Sequence, residues 1–186
     1  TPEYSSAASD VYKRQEEVEQ MVAAYVEDFL RGVDSNSVTS VDLQDLTLLS
    51  QYGTSQKADG DESATPILRM GNIQRGQVLF ENLKFIKLTK DELEKYALDE
   101  GDILFNRTNS FELVGKTGVF YDCGKPVVCA SYLIRIKVDQ ERVLPEFVAA
   151  MINSRLGRSH IEAVANRAIG QVNVNAKKIG ALKFPL

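Results

Sequence analysis

The residues of this chain best suited to chemistry are hydrogen-bonding side chains in loops built around tight glycine turns. Four such loops lie at residues 52–57, 69–72, 106–110 and 171–175. In DNA-binding proteins arginine pairs with guanine through two hydrogen bonds, asparagine and glutamine pair with adenine, and Ser, Thr and Lys bind phosphates. The loops therefore have the composition of a surface that reads base edges. Polar loops are also commonly just solvated, so each loop alone is a weak indication.

Catalytic motifs are scarce. The single histidine, His160, supports neither a histidine metal site nor a Ser–His–Asp triad. Cys123 and Cys129 have no second pair with which to form a zinc site, and we expect two small apolar residues in or beside a strand. There is neither a P-loop nor a GxGxxG fingerprint. The acidic residues at 99, 100 and 102 flank Gly101, which is typical of a turn. The sequence thus predicts a binding protein rather than an enzyme, with no metal and no cofactor.

Charge is unevenly distributed along the chain. The net charge is −4 overall, but residues 1–52 carry −7, residues 53–186 carry +3, and residues 142–186 carry +5. The acidity is therefore confined to the first part of the chain, and the last quarter has a charge that suits a phosphate backbone. No run of 18 apolar residues and no secretory signal is present.

The elements that must position the loops follow from apolar spacing and turn residues. Residues 1–15 are interpreted as a disordered or non-native tail. One apolar stripe with steps of three and four predicts an amphipathic helix over 16–32, either packed on its own domain or docked on a partner helix. A strand-rich region begins at Val41 and includes a strand over 78–88. Thr89 is expected to cap a short helix, and Pro145 to begin a longer one. A further helix over 156–166 and an alternating final segment complete the pattern.

Six blocks of sequence follow one another over nearly all of residues 41–186. They are YGTSQKADG (52–60), PILRMGNIQRG (66–76), KFIKL (84–88), LEKYALDEGDILFNRTNSFELVGKTGVF (93–120), SYLIRI (131–136) and GQVNVN (170–175). In this order they resemble the target-recognition domain of type I restriction–modification specificity subunits, and GDILFNRTNS with ELVGKT is the most specific part. The tryptophan-containing N-terminal segment typical of the family is missing, since the chain has no Trp.

The resemblance implies an α+β domain, a mixed sheet with packed helices, over 41–186 and cut before the conserved helix that would follow it. It implies a cytoplasmic bacterial or archaeal protein that reads one half of a split double-stranded DNA site. Its partners would be methyltransferase subunits and a restriction motor subunit, which would use the methyl donor and ATP. The helix at 16–32 would be a spacer or a lead-in. The alternatives are the recognition part of a fused restriction–methyltransferase chain, and an interaction module with merely solvated loops.

The same resemblance gives the polar residues expected roles in the major groove. Arg107, Asn109, Gln171 and Asn173 are expected on the DNA side, and Thr54, Ser55 and Lys57 are expected to contact the DNA backbone. Two of the candidates have an alternative role within the protein itself. Asn109 could hold its loop by bonding the backbone, and Arg69 could pair with a buried carboxylate. The residues expected to bind phosphates are Lys116, Arg155, Arg158 and Arg167. The loop residues that complete the set of expected DNA contacts are Arg69, Asn72, Thr108, Ser110 and Asn175.

Overall fold

A computed structural model describes residues 6–32, 40–58, 62–111, 113–168 and 171–185. Within these ranges the helices are α1 (Ser6–Gly32), α2 (Lys90–Tyr96), α3 (Pro145–Asn153), α4 (Arg155–Val164) and α5 (Ala176–Gly180). Short 3-10 helices lie at Leu43–Leu46 and Met70–Asn72. The strands are β1 (Ser40–Asp42), β2 (Thr47–Tyr52), β3 (Thr65–Leu68), β4 (Ile73–Gln74), β5 (Gln77–Val78), β6 (Lys84–Ile86), β7 (Ile103–Asn106), β8 (Thr108–Asn109), β9 (Thr117–Val119), β10 (Val128–Cys129), β11 (Leu133–Val138), β12 (Asn166–Ala168), β13 (Gln171–Asn173) and β14 (Lys183–Pro185).

A six-stranded mixed sheet in the order β2-β11-β7-β9-β5-β4 forms the centre of the fold. Strand β11 is antiparallel to β2 and β7, and β5 runs parallel to β9. Side chains alternate between the two faces of the sheet. Ile103 and Phe105 enter the core beneath α3, whereas Leu104 and Leu133 enter a second core with Phe120. Burial on both faces explains why the first three residues of β7, Ile103, Leu104 and Phe105, are all apolar rather than alternating.

Smaller sheets extend this centre. A three-stranded sheet in the order β10-β3-β6 lies beside α2, whose N-cap Thr89 accepts a hydrogen bond from the Glu92 amide. Another three-stranded sheet has the order β12-β13-β8, and β1 pairs with β14. The expectation of a mixed sheet with packed helices is therefore confirmed, as are the cap at Thr89 and the helix that begins at Pro145.

Helix α1 differs from the sequence prediction in two ways. It begins at Ser6, so the prediction of a disordered tail is wrong for residues 6–15; this stretch has several good helix formers and no Gly or Pro. Residues 1–5 lie outside the described residues. The apolar stripe is divided: Val26 is fully buried and packs in the main core, whereas Met21 and Tyr25 are exposed. Packing on its own domain is thus established for one side of α1.

Three further boundaries depart from expectation. The strand expected over 78–88 is two strands, β5 and β6, separated by residues 79–83. The helix expected over 156–166 is α4, which ends at Val164, and strand β12 follows from Asn166. The final segment does not alternate throughout, since the short helix α5 separates β13 from β14. No described helix is long and apolar enough to cross a membrane.

A buried ion pair holds β7 and β11 together. Arg135 Nε lies 2.6 Å from Asp102 Oδ2, and both side chains are almost completely buried. The Nε–H bond does not point at this oxygen, so the contact is an ion pair rather than a hydrogen bond. Arg135 also donates to Asp99 over 2.8 Å, and Lys137 contacts the same carboxylate over 2.5 Å. The turn expected at Gly101 is present, since the Asp102 amide donates to the Asp99 carbonyl, and its Asp99 and Asp102 carboxylates are also the counter-ions of two basic residues of β11.

Candidate nucleic-acid interface

One end of the central sheet brings together chain segments that are far apart in sequence. At this end β2 and β7 finish and β11 and β9 begin, because Tyr52 pairs with Ile134, Asn106 with Leu133, and Phe105 with Thr117. We call the side chains just beyond it the strand-end surface, which consists of Tyr52, Arg107, Thr108, Tyr132 and Asn173. Tyr52 and Tyr132 are 41% and 47% exposed, so this surface combines aromatic rings with hydrogen-bonding groups.

Arg107 lies at the centre of the strand-end surface. Its guanidinium carbon lies 4.7 Å from the centroid of the Tyr52 ring, which is a cation–π contact. Nη1 donates to the carbonyl of Ser131 over 3.3 Å, and Nη2 donates to Oδ1 of Asn173 over 3.2 Å. The half-buried side chain is therefore held by three chain segments and still reaches the surface.

Asn173 joins two of the predicted loops. Its Nδ2 donates to the Thr108 hydroxyl over 2.9 Å while its Oδ1 accepts from Arg107. The backbones meet as well, since β13 pairs with β8 and places Asn173 opposite Thr108 and Val172 opposite Asn109. The predicted loops at 106–110 and 171–175 thus form one continuous surface.

The first predicted loop adjoins this surface but presents fewer side chains than expected. Thr54 is 4% exposed, its amide donates to the carbonyl of Cys129, and its carbonyl accepts from Ser131. Its buried side chain accepts from the Gln56 amide, so Thr54 shapes the loop from within. Ser55 and Lys57 are exposed. They remain candidates for contacts to the DNA backbone.

Several predicted side chains serve the fold. Asn72 is 4% exposed and uses its amide to accept from Arg69 and to donate to the carbonyls of Leu79 and Glu81. Asn72 thus has little left to offer a base, because its amide bonds hold the chain around it. Arg69 donates to the carbonyl of Asn82 over 3.2 Å, a backbone group in place of the buried carboxylate considered for it.

Two more asparagines bond the backbone nearby. Asn109 accepts from the Ser110 amide, which is the structural role weighed for it at the outset. Asn175 caps α5 by accepting from the Lys178 amide over 2.9 Å. Both side chains are half-exposed, so they border the strand-end surface while their oxygens stabilise local turns.

The predicted phosphate ligands are dispersed. Lys116 lines a cavity of about 400 Å³ together with Arg75 and residues of α1 and α3. Arg158 donates to the carbonyls of Phe111 and Val114 and faces Glu162, so its donors are used on two backbone groups. Arg155 is exposed at the start of α4. The side chains of Arg167 and Gln171 lie outside the described residues, although their backbones pair in β12 and β13.

Sequence reasoning missed the two tyrosines of the strand-end surface. Tyr52 and Tyr132 were part of the blocks that carry the resemblance, but their aromatic character was not weighed. An aromatic residue immediately before a glycine-containing polar loop was the available signal for Tyr52.

The single histidine has a backbone partner, and one of the two cysteines is buried. His160 Nε2 lies 2.9 Å from the carbonyl oxygen of Lys178. Burial raises the pKa of the Cys129 thiol to about 12, so this thiol stays protonated and is a poor nucleophile at neutral pH. No group of three or more His, Cys, Asp or Glu side chains in the described ranges is arranged to hold a metal ion.

Comparison with known proteins identifies the family. The sequence model of the type I restriction modification DNA specificity domain matches residues 38–186. The chain belongs to this family. The matched range contains the central sheet and every residue of the strand-end surface, whereas the whole of α1 precedes it.

The curated relatives of this specificity domain are subunits of type I restriction enzymes. A putative MjaX specificity subunit from Methanocaldococcus jannaschii is 25% identical over 148 residues, which cover 78% of this chain and 34% of the relative. The StySPI specificity subunit of Salmonella potsdam is 27% identical, covering 79% and 32%. The EcoKI specificity subunit of Escherichia coli is 28% identical, covering 68% and 28%. The chain thus spans about a third of the length of these relatives.

Solved structures show the same fold. The HsdS subunit from Thermoanaerobacter tengcongensis superimposes with a TM-score of 0.57 at 16% identity, covering 82% of this chain and 38% of that one. A chain from a type I R-M system structure has the same TM-score and covers 80% of this chain and 37% of its own. At these identities the likeness concerns the fold alone.

Proposed function

We propose that this specificity domain binds double-stranded DNA sequence-specifically and reads one half-site for a type I restriction–modification system. The observation that carries the proposal is the contact between Arg107 and Asn173, because it unites two loops of base-reading composition on one surface. Family membership supports the same function. A duplex laid across the strand-end surface would meet both loops at once, with Ser55 and Lys57 beside them.

The charge distribution is compatible with this orientation. Residues 53–186 carry a net charge of +3, whereas the acidic residues of 1–52 include five in the α1 range 16–28. Phosphate contacts supply most of the sequence-independent affinity of a DNA-binding protein, and base contacts supply its specificity. We assign Arg107 and Asn173 to base recognition and Lys57 to the phosphates.

We further propose a division of labour between subunits. The recognition domain covers 41–186, and α1 from residue 16 onward is a spacer or lead-in. Methyltransferase subunits and a restriction motor subunit would carry out the chemistry with the methyl donor and ATP, so the specificity domain itself would not be catalytic. The curated relatives are named as specificity subunits, which does not favour the alternative of a fused restriction–methyltransferase chain.

The test is selection of duplexes with a randomised central segment by the chain, followed by affinity measurements at several salt concentrations. Arg107→Ala should cost about 1–3 kcal/mol on the selected duplex and relax the preference at one position. Lys57→Ala should weaken all duplexes alike and lower the salt slope by about one. Arg31→Ala, an exposed charge at the end of α1, is the control and should change neither. A wild-type chain without salt-dependent affinity for any duplex would contradict the proposal.

A further inference from the structure

We propose that Tyr52 is a positioning residue that holds Arg107 in the orientation required to read a guanine. This inference rests on the proposed function, because it assigns a base to the same surface. Tyr52 ends β2, whereas Arg107 lies between β7 and β8, so the two residues meet only because β11 pairs with both β2 and β7.

The ring of Tyr52 is itself anchored. Its hydroxyl accepts a hydrogen bond from the Ala176 amide over 3.3 Å, which ties the end of β2 to the start of α5. The guanidinium carbon of Arg107 lies 4.7 Å from the ring centroid, so Arg107 covers one face of the ring. A ring fixed at both its face and its hydroxyl can serve as a platform for Arg107.

The remaining donors of Arg107 define what it can read. A guanidinium carries five N–H groups. Nη1 uses one on the Ser131 carbonyl, Nη2 uses one on Asn173, and the Nε–H is buried, so the outward donors that remain are one N–H on each terminal nitrogen. Two such donors on neighbouring nitrogens match the N7 and O6 acceptors that guanine presents in the major groove. Adenine offers a donor in place of O6, and therefore fits this pair poorly.

Positioning accounts for how Tyr52 would affect specificity. A free arginine side chain loses rotational freedom when it binds, and a pre-oriented one loses less. Loss of the ring should therefore lower affinity for the guanine-containing duplex by about two- to fivefold, the contribution of a cation–π contact at an exposed site. The charge of Arg107 is unaltered, so affinity for unrelated duplexes and the salt slope should stay unchanged. A direct phosphate ligand would alter both.

The experiment compares Tyr52→Leu and Tyr52→Phe on the duplex selected by the wild-type chain, with the guanine intact or replaced by 7-deazaguanine, which lacks N7. The modified base should weaken the wild type at least about fivefold, the lower bound for a bidentate contact, and leave Arg107→Ala unaffected. In Tyr52→Leu, 7-deazaguanine should reduce affinity by a smaller factor than it does in the wild type. In Tyr52→Phe the factor should equal that of the wild type, because the ring remains. Tyr25→Leu, an exposed tyrosine of α1, is the matched control and should behave as wild type.

The outcomes separate the two proposals. Suppose that Arg107→Ala no longer discriminates guanine from 7-deazaguanine, whereas Tyr52→Leu binds the unmodified duplex as tightly as wild type and is weakened as much by the modified base. The role of Tyr52 is then overturned and the proposed function stands. If the position that depends on Arg107 is not a guanine, the base assignment is overturned. A wild-type chain that selects no sequence overturns the proposed function itself. Tyr52→Met, whose unbranched and flexible side chain also lacks the ring, replaces the leucine variant should that variant fail to fold.

Discussion

Asn173 offers a way to neutralise Arg107 without removing it. Asn173→Asp keeps the size of the side chain and still presents an oxygen to Nη2 of Arg107, which now lies 3.2 Å from Oδ1. The Thr108 hydroxyl, which now accepts from Nδ2, can instead donate to the carboxylate. The substitution therefore replaces a neutral hydrogen bond by an ion pair in the middle of the strand-end surface.

The magnitude follows from this distance. Two unit charges 3.2 Å apart attract by about 1 kcal/mol in water-like surroundings and about 5 kcal/mol at an effective dielectric constant of ~20. Both side chains are half-exposed, so the lower end applies, about 1–2 kcal/mol. DNA would have to compete with the carboxylate for Arg107. We expect affinity for the selected duplex to fall about five- to thirtyfold, whereas the salt slope should change little, because Arg107 is assigned to a base and not to a phosphate.

The assay is a salt titration of duplex binding, paired with urea unfolding. Asn175→Asp is the matched control, because it adds the same charge two residues away and aspartate caps a helix as well as asparagine does. Unfolding free energy should not decrease in Asn173→Asp. The reasoning is refuted if Asn173→Asp binds as tightly as wild type, or if both aspartate variants lose affinity equally, since net charge alone would then explain the loss.

Three further predictions concern the framework. Arg135→Met should lower the free energy of unfolding by about 3–5 kcal/mol in urea titrations, because it strands the buried Asp102 carboxylate; a loss under 1 kcal/mol would contradict a role for the ion pair. The hydrogen bond from Lys137 lowers the pKa of Asp99, so this group stabilises the fold above its unfolded pKa of about 3.9 and ceases to do so as pH falls through the lower folded value. Asp99→Asn should therefore make stability less sensitive to acid, and an unchanged pH profile would argue against it. Gly53→Ala places a Cβ 2.1 Å from the Cys129 carbonyl oxygen, so about 1–3 kcal/mol of stability and part of the DNA affinity should be lost; a variant as stable as wild type would show that the chain relaxes freely there.

Features with a local cause were predictable from sequence. Thr89 caps α2 and Pro145 opens α3, because each signal acts within one helical turn. The turn at Gly76 has the positive φ that glycine favours. Helix α1 shows the limit of such signals: its good helix formers continue to Ser6, where low apolar content suggested disorder.

Side-chain roles were harder to predict, because composition does not reveal which donors the fold already uses. Arg158 has the charge of a phosphate ligand, but the carbonyls of Phe111 and Val114 take its donors. Asn72 has the composition of a base reader and is consumed by three backbone groups. Arg135 lies in a stretch of alternating apolar and basic residues, and nothing in that pattern reveals that it is buried with Asp102. Each case depends on a partner that is distant in sequence.

The same dependence makes the strand-end surface a connected unit rather than a set of independent readers. Asn173 satisfies Arg107 with its oxygen and Thr108 with its amide, and Tyr52 supports Arg107 from a different strand. A change at any of these positions alters the orientation of the others, so their effects on binding should not add. Recognition of a new base at this surface would then require concerted replacement of Arg107 with the residues that hold it, since a new side chain at position 107 alone would inherit contacts shaped for a guanidinium.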